Sequence, residues 1–248
     1  MKLIPQDPPR LNRLLDALWP TEGKGWLSQL QSVEMPVGKL LFGSGDVLHY
    51  LYFPTTAVVS LLTVLENGDT AETAVVGCDG IVGISLFMGG ETALTSASVR
   101  IGGRGFRIAA SVLMAEFHRC GIVQQRLLRY TQALIAQMSQ TAVCNRHHTL
   151  DEQLCRCLLL TRDRLRSDVV AMTHDQMANC LGVRRESVSM AAADLEHAGL
   201  IRRHRGRVML IDRPGLELRV CECYAVVKAR YDGLEDAQDD LDACALRA

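Results

Sequence analysis

Over residues 33–108 the chain alternates short apolar runs with polar turns. The runs at 39–42, 48–53, 58–65 and 73–76 are separated by Gly43-Ser44-Gly45-Asp46, Asn67-Gly68 and Cys78-Asp79-Gly80. Asn-Gly between apolar strands is a strong hairpin signal, and several strands at this spacing predict an antiparallel sandwich or barrel. Residues 96–107 add a further pair of strands around Gly102-Gly103. Ahead of these strands, residues 11–30 read as a short helical region interrupted by Pro20 and Gly23-Lys24-Gly25. After residue 110 the period changes to helical and persists to 148. Val123, Leu127, Tyr130, Leu134, Met138 and Thr141 form one stripe, and Leu128, Ile135 and Ala142 a second on another face. One stripe can pack on the strand domain while the other meets a second helix, which predicts a homodimer axis; burial of the helix wholly within one chain is the alternative. Residues 150–165 give another amphipathic helix, with Leu154, Cys157, Leu158 and Leu165 expected inward and Arg156, Arg162 and Arg164 outward.

Residues 173–196 read as two short helices joined by a tight turn. Thr173 with Gln176 three residues later forms a capping box, and Gly182 supplies the backbone freedom to stop the first helix and turn. Ala178 is small where the helices cross, and Met177, Leu181, Val183, Val188 and Ala191 supply a shared core. This spacing fits a helix-turn-helix, whose second helix enters the DNA major groove. An ordinary helical hairpin with a solvated Arg-Arg-Glu face is the plainer alternative. Residues 200–211 then alternate around His204-Arg205-Gly206 as a β-hairpin flanked by arginines. A hairpin directly after a recognition helix is a wing whose arginines can reach phosphates, and it favours the DNA reading.

Charge narrows the picture. The net charge is −1 over 248 residues, so no global basic field points to nucleic acid. Residues 184–213 nevertheless hold seven arginines against four acids, and the sign reverses from residue 216 onward, with eight acids against four basic residues. The first ten residues carry charge and three prolines, unlike a signal peptide, and no uncharged apolar run approaches the roughly 20 residues of a membrane span. The expected compartment is the cytoplasm, with no membrane partner, and the nine cysteines are expected there as reduced thiols.

The order of parts resembles the Crp/Fnr superfamily of bacterial transcription regulators over nearly the whole chain. Gly38-Lys-Leu-Leu-Phe-x-x-Gly45-Asp46 is similar to that family's opening strand and turn. His49-Tyr-Leu-Tyr-Phe53 and Val58-Val-Ser-Leu61 are similar to its next strands, and Gly77-Cys-Asp-Gly80-Ile-Val-Gly83 to the approach to its phosphate-binding cassette. Residues 173–196 align without a gap to its helix-turn-helix. The resemblance implies an α+β fold: an N-terminal antiparallel β-roll of jelly-roll type (1–115), a long central dimerisation helix (116–148), a winged helix-turn-helix (149–215) and an acidic C-terminal extension (216–248). It implies a homodimer on pseudo-palindromic double-stranded DNA, with RNA polymerase as a candidate partner. The residues expected at DNA are Thr173, His174, Arg184, Arg185, Glu186, Ser187, Ser189 and Met190, with Arg202, Arg203, Arg205 and Arg207 on the wing.

The chain also departs from the pattern. Members that bind cyclic nucleotides carry a Gly-Glu pair and an Arg before Ser-Ala. Here Gly83 is followed by Ile84 and Ser85, and Thr95 precedes Ser96. Ile84 cannot accept from a ribose hydroxyl, and Thr95 cannot neutralise a phosphate. The expected pocket is therefore degenerate, its effector unknown, and cyclic AMP is not expected to bind in the usual way. No cysteine precedes Cys78, against the N-terminal ligands of the Fe–S branch. Arg185 falls where the family reads guanine and Glu186 where it reads cytosine, but Met190 replaces a second reading Arg and cannot make its bidentate contact.

Other chemistry is weaker. Helical residues two apart diverge by roughly 200°, so Cys155-x-Cys157 and Cys221-x-Cys223 are expected as core or incidental thiols. Cys144, His147 and His148 share a helix face near the end of the central helix, where a two-fold could double a ligand set, but His-His is common at helix ends. No metal and no cofactor are expected. His49, Tyr50 and Tyr52 are read as packing residues, and Gly89-Gly90 as a turn. No nucleophilic triad or paired carboxylates stand out, so the chain is not read as an enzyme. Two rivals stay open: a ligand-independent regulator whose roll serves dimerisation or protein docking, and a cytosolic redox- or metal-responsive protein.

Overall fold

The structure, a computed structural model, describes residues 11–18 and 25–234. The interruption expected at Pro20 and Gly23-Lys24, the first ten residues and the acidic tail beyond 234 lie outside the described residues. After α1 (Arg13–Leu18) come seven strands: β1 (Gln31–Met35), β2 (Leu40–Phe42), β3 (Tyr50–Pro54), β4 (Val58–Val64), β5 (Thr70–Val76), β6 (Ser96–Ile101) and β7 (Gly103–Ala109). They form two antiparallel sheets, ordered β1-β7-β3 and β2-β6-β4-β5. The β4–β5 hairpin turns at Gly68, whose φ of +88° is the left-handed geometry that Asn-Gly predicts. Gly102 marks a change of sheet, since β6 pairs with β2 and β4 whereas β7 pairs with β1 and β3. A Cβ on Gly103 would stand 2.5 Å from the Thr56 carbonyl carbon, so only glycine fits this crossover.

The helical stretch expected from 110 to 148 is broken into α2 (Ala110–Phe117) and α3 (Ile122–His147). Cys120 takes φ +58° at the break, a local backbone reversal that side-chain periodicity does not register. The chain continues through α4 (Leu150–Leu165), strand β8 (Val169–Val170), α5 (His174–Leu181), α6 (Arg185–His197), strands β9 (Ile201–His204) and β10 (Arg207–Leu210), α7 (Arg213–Arg219) and α8 (Glu222–Asp232). The last three strands form a small antiparallel sheet, β8-β10-β9. Among the described residues, no helix is long and apolar enough to cross a membrane.

One expectation about the helices is corrected. Arg156 and Arg164 are buried, at 6% and 2% exposure. Helix α4 is packed by α5 to α8 and by the β4–β5 hairpin and is hydrogen-bonded to Gln137 and Thr141 of α3, so it has no broad polar face to offer them. Arg164 instead donates from Nε to Val75 O (2.9 Å), from Nη1 to Leu160 O (3.1 Å) and from Nη2 to Gln137, and lies 3.6 Å from Asp79. On α3, the stripe from Val123 to Thr141 is occupied within the chain: Val123, Leu127, Tyr130 and Leu134 are fully buried, and α3 packs on β5, α1, α2 and α8. Tyr231 of α8 meets Tyr130 edge to face, with ring centroids 6.2 Å apart. The face left exposed is the second stripe, where Leu128 and Ile135 are each 44% exposed, joined by Val143.

Candidate nucleic-acid interface

The capping box expected at Thr173 is present: Gln176 N donates to Thr173 Oγ1 (3.2 Å) and Thr173 N to Gln176 Oε1 (2.8 Å). Gly182 ends α5 at φ +65°, with Val183 N donating to Ala178 O (3.1 Å). Met177, Ala178, Leu181, Val188, Ala191, Ala192 and Leu195 then close the α5–α6 core. Their burial fixes the opposite face of α6. Arg184, Arg185, Glu186 and Met190 are exposed, the last at 70%. Arg184 caps α6 from an extended backbone without a side-chain bond, so no side chain caps the first turn of the helix.

Ser189 is half-buried and committed locally, sharing a 2.9 Å hydrogen bond with His174 Nδ1 and donating to Arg185 O (3.0 Å). Desolvation, with Arg203 and Arg185 nearby, lowers the His174 pKa below its ordinary value. Arg185 Nε lies 3.5 Å from Asp175, an exposed pairing open to competition.

The wing arginines divide into two kinds. Arg203 is a strut: its backbone N donates to Glu196 Oε1 (2.7 Å), its Nε to Glu196 Oε2 (2.8 Å) and its Nη1 to Ser189 O (3.3 Å). Those bonds hold the Glu196 carboxyl below its ordinary pKa and lock β9 to α6. Arg202, Arg205 and Arg207 are exposed around the turn, where Arg205 takes φ +31° and Gly206 +75°. An open groove between the wing tip and the start of α6 is lined by Thr173, His174, Arg185, Arg203, Arg205 and Arg207.

In the roll, Gly83 opens a short 3₁₀ turn at φ +115°, and a Cβ there would press on Leu51 at 3.2 Å. The hydroxyls expected in the effector pocket are already engaged. Ser85 Oγ accepts from Leu94 N (3.4 Å), and Ser96 Oγ accepts from Ser44 N (3.1 Å). Ile84 and Thr95 are half-buried and offer no charge.

Sequence reasoning missed a buried junction between the roll and the helix-turn-helix. Arg100 on β6 donates from Nη1 to Glu72 on β5 (2.9 and 3.0 Å) and to Cys180 Sγ on α5 (3.2 Å). Its Nη2 donates to Thr161 Oγ1 on α4 (2.5 Å), and its carbonyl accepts from Gln176 Nε2 (3.4 Å). Hydrogen bonding from Cys180, reinforced by Arg100, pulls the Cys157 thiol down to about 7. Arg100 is preceded in sequence only by ordinary strand residues, so no local signal marks it.

The described residues thus assemble a two-sheet roll, a long central helix and a winged helix-turn-helix. Residues 152–219 match the family model of the Crp-like helix-turn-helix domain. The fold is similar to that of FixK2 from Bradyrhizobium japonicum (18% identity, 77% of this chain and 98% of that one, TM-score 0.67). It is also similar to the c-di-GMP responsive global regulator CLP of Xanthomonas campestris (17% identity, 75% and 96%, TM-score 0.59). A third likeness is to a CooA mutant from Carboxydothermus hydrogenoformans (13% identity, 85% and 98%, TM-score 0.61). No curated protein matches the chain in sequence. The chain thus has the Crp/Fnr regulator fold and carries that family's helix-turn-helix domain.

Proposed function

We propose that this chain is a sequence-specific regulator of transcription that binds double-stranded DNA as a cytoplasmic homodimer. The observation that carries the reading is the face of α6. Arg185, Glu186, Ser189 and Met190 fall on one side at steps of one and four, opposite the buried Val188, Ala191, Ala192 and Leu195. Arg185 can read guanine O6 and N7, Glu186 can accept from a cytosine amino group, and Met190 offers apolar contact in place of a second guanine reader. Arg202, Arg205 and Arg207 supply phosphate contacts, while Arg203 holds the wing in register. The half-site overlaps the TGTGA-like sequence of Crp-type proteins in part. The exposed seam of Leu128, Ile135 and Ala142, spaced by seven residues, supplies the self-complementary face for the dimer.

The roll acts on the reader through the Arg100 junction, which joins β5 and β6 to α4 and α5, and through the packing of α3. A signal in the roll shifts the population of helix arrangements and so the spacing of the two recognition helices. With Ser85 and Ser96 already hydrogen-bonded and no cation at Thr95, cyclic AMP is not that signal in the usual way. The absence of a charged group at Ile84 and Thr95 favours, as a second reading, a ligand-independent module for dimerisation or docking; a dose-dependent thermal shift with any metabolite would remove it. Selection of bound duplexes from a random pool tests the main reading. It should return a pseudo-palindrome with half-site centres one helical turn, about 34–36 Å, apart. Recovery of unselected sequence would contradict it.

A further inference from the structure

The structure brings four potential metal ligands from distant parts of the chain to one point. Cys144 lies at the end of α3, His148 in the two-residue hinge before α4, and Cys221 and Cys223 at the start of α8. Their ligand atoms all lie within 4.8 Å of one another. The three thiols are buried, at 0%, 4% and 1% exposure, in a small cluster separate from the main core. The geometric objection to a Cys-x-Cys chelate does not hold for Cys221 and Cys223. Cys221 is the N-cap of α8, with extended backbone at φ −68° and ψ 162°, and only Cys223 is helical. The change of conformation between them brings both sulfurs to the same side.

We propose that Cys144, His148, Cys221 and Cys223 form a site for a single tetrahedral divalent ion of the zinc type. Zinc bonds of about 2.3 Å to sulfur and about 2.0–2.1 Å to nitrogen, at tetrahedral angles, place sulfurs roughly 3.8 Å apart and sulfur about 3.6 Å from nitrogen. Cys144 Sγ and Cys221 Sγ are 3.6 Å apart, and Cys223 Sγ is 3.6 Å from His148 Nδ1. A disulfide would need about 2.05 Å and would leave the other thiol and the imidazole unexplained.

The surroundings suit an ion as well as the ligands do. His148 presents Nδ1 to the sulfurs while its Nε2 sits 3.3 Å from the Glu222 carboxylate, the arrangement that orients a ligating imidazole and raises its basicity. Gln153 Nε2 donates to both Cys144 O (3.3 Å) and His148 O (2.9 Å), fixing the backbone that carries two of the ligands. Three thiolates, one neutral imidazole and one divalent cation carry a net charge of about −1. Arg156, buried at 6% exposure, acts electrostatically on Cys144 and Cys223 and donates from Nη1 to Thr141 Oγ1 (3.2 Å). Four protein ligands close the coordination shell, so the ion is structural: it ties α8 to the hinge between α3 and α4. The site stands independently of DNA binding.

Metal analysis of the full chain, purified with reductant, tests this. About one zinc per chain is expected, and cobalt(II) should give thiolate-to-metal charge transfer with the intense visible bands of a tetrahedral ion. Glu222→Gln, at an exposed carboxylate that should not affect folding, should weaken zinc about 10–100-fold, an effect that mere packing of thiols does not produce. Cys221→Ser should lose the ion. A folded, fully reduced wild-type chain that takes up neither zinc nor cobalt would overturn the proposal, as would cobalt spectra of an octahedral site without sulfur.

Discussion

Arg164 joins four elements through one side chain, and its replacement gives a calculable penalty. Its guanidinium bonds Val75 O on β5, Gln137 on α3 and Leu160 O on its own helix, faces Asp79 at 3.6 Å, and lies over the Tyr231 ring of α8 at 4.8 Å. Arg164→Met keeps most of the apolar stem and removes the charge. It takes the guanidinium away from Asp79, itself only 8% exposed, and strips a donor from the buried Val75 carbonyl. Removing one member of a buried ion pair costs about 3–5 kcal/mol. With a urea slope of about 3 kcal/mol per M, the unfolding midpoint should fall by roughly 1–1.7 M. Asp79→Asn in the same chain removes the stranded charge, so the double variant should recover about 1–3 kcal/mol relative to the sum of the two singles. Urea titrations of the four proteins, followed by far-UV circular dichroism, make the comparison. A midpoint for Arg164→Met within about 0.2 M of wild type, or simple additivity in the double variant, would refute the assignment of Arg164 as a charged strut.

Three further outcomes follow from the same geometry. Ile135→Glu, on the exposed seam of α3, should convert a dimer to monomer in sedimentation velocity with its helical content unchanged; an unaltered dimer would place the interface elsewhere. Arg207→Ala should lower the salt slope of DNA binding by about 1 with little effect on stability, whereas Arg203→Ala should lower the thermal midpoint because Glu196 loses its partner. Equal behaviour of the two would remove the distinction between strut and phosphate contact. His174 has a folded pKa below its ordinary 6.5. The unfolded chain therefore takes the proton first, and the His174 contribution, intact above pH 6.5, is lost as pH falls through the folded value. His174→Gln should flatten the decline in stability between about pH 7 and pH 5; an unchanged slope would assign the decline to other groups.

The parts of this protein that were legible in its sequence are those written locally. The Thr173–Gln176 capping box, the left-handed Gly182 and the Asn67-Gly68 turn each encode geometry within four residues, and each appears as expected. The wing was legible because strand alternation and a glycine turn follow directly on α6. The failures share a physical cause. Arg156 and Arg164 look solvent-facing by period, but their partners, Thr141, Gln137 and Val75, come from elements up to 89 residues away. Periodicity revealed two apolar faces on α3 without saying which one α8 would cover. The segment holding α8 reads as an acidic extension, yet Cys223, Tyr224, Val227 and Tyr231 bury themselves against the rest of the chain. In the cysteine–histidine cluster, Cys144 and Cys221 are 77 residues apart and the geometry depends on one residue being a helix cap, information that spacing alone does not carry.

Sequence reading by α6 is tested by comparing wild type with Arg185→Ala. Wild type and Arg185→Ala are titrated, at fixed salt, against the selected duplex and against a scrambled duplex of equal length. Wild type should prefer the selected site by about 10³-fold or more, and Arg185→Ala should lose about 1–3 kcal/mol on that site while binding the scrambled duplex almost unchanged. Equal losses on both duplexes, or no preference by the wild type, would show that α6 does not read sequence.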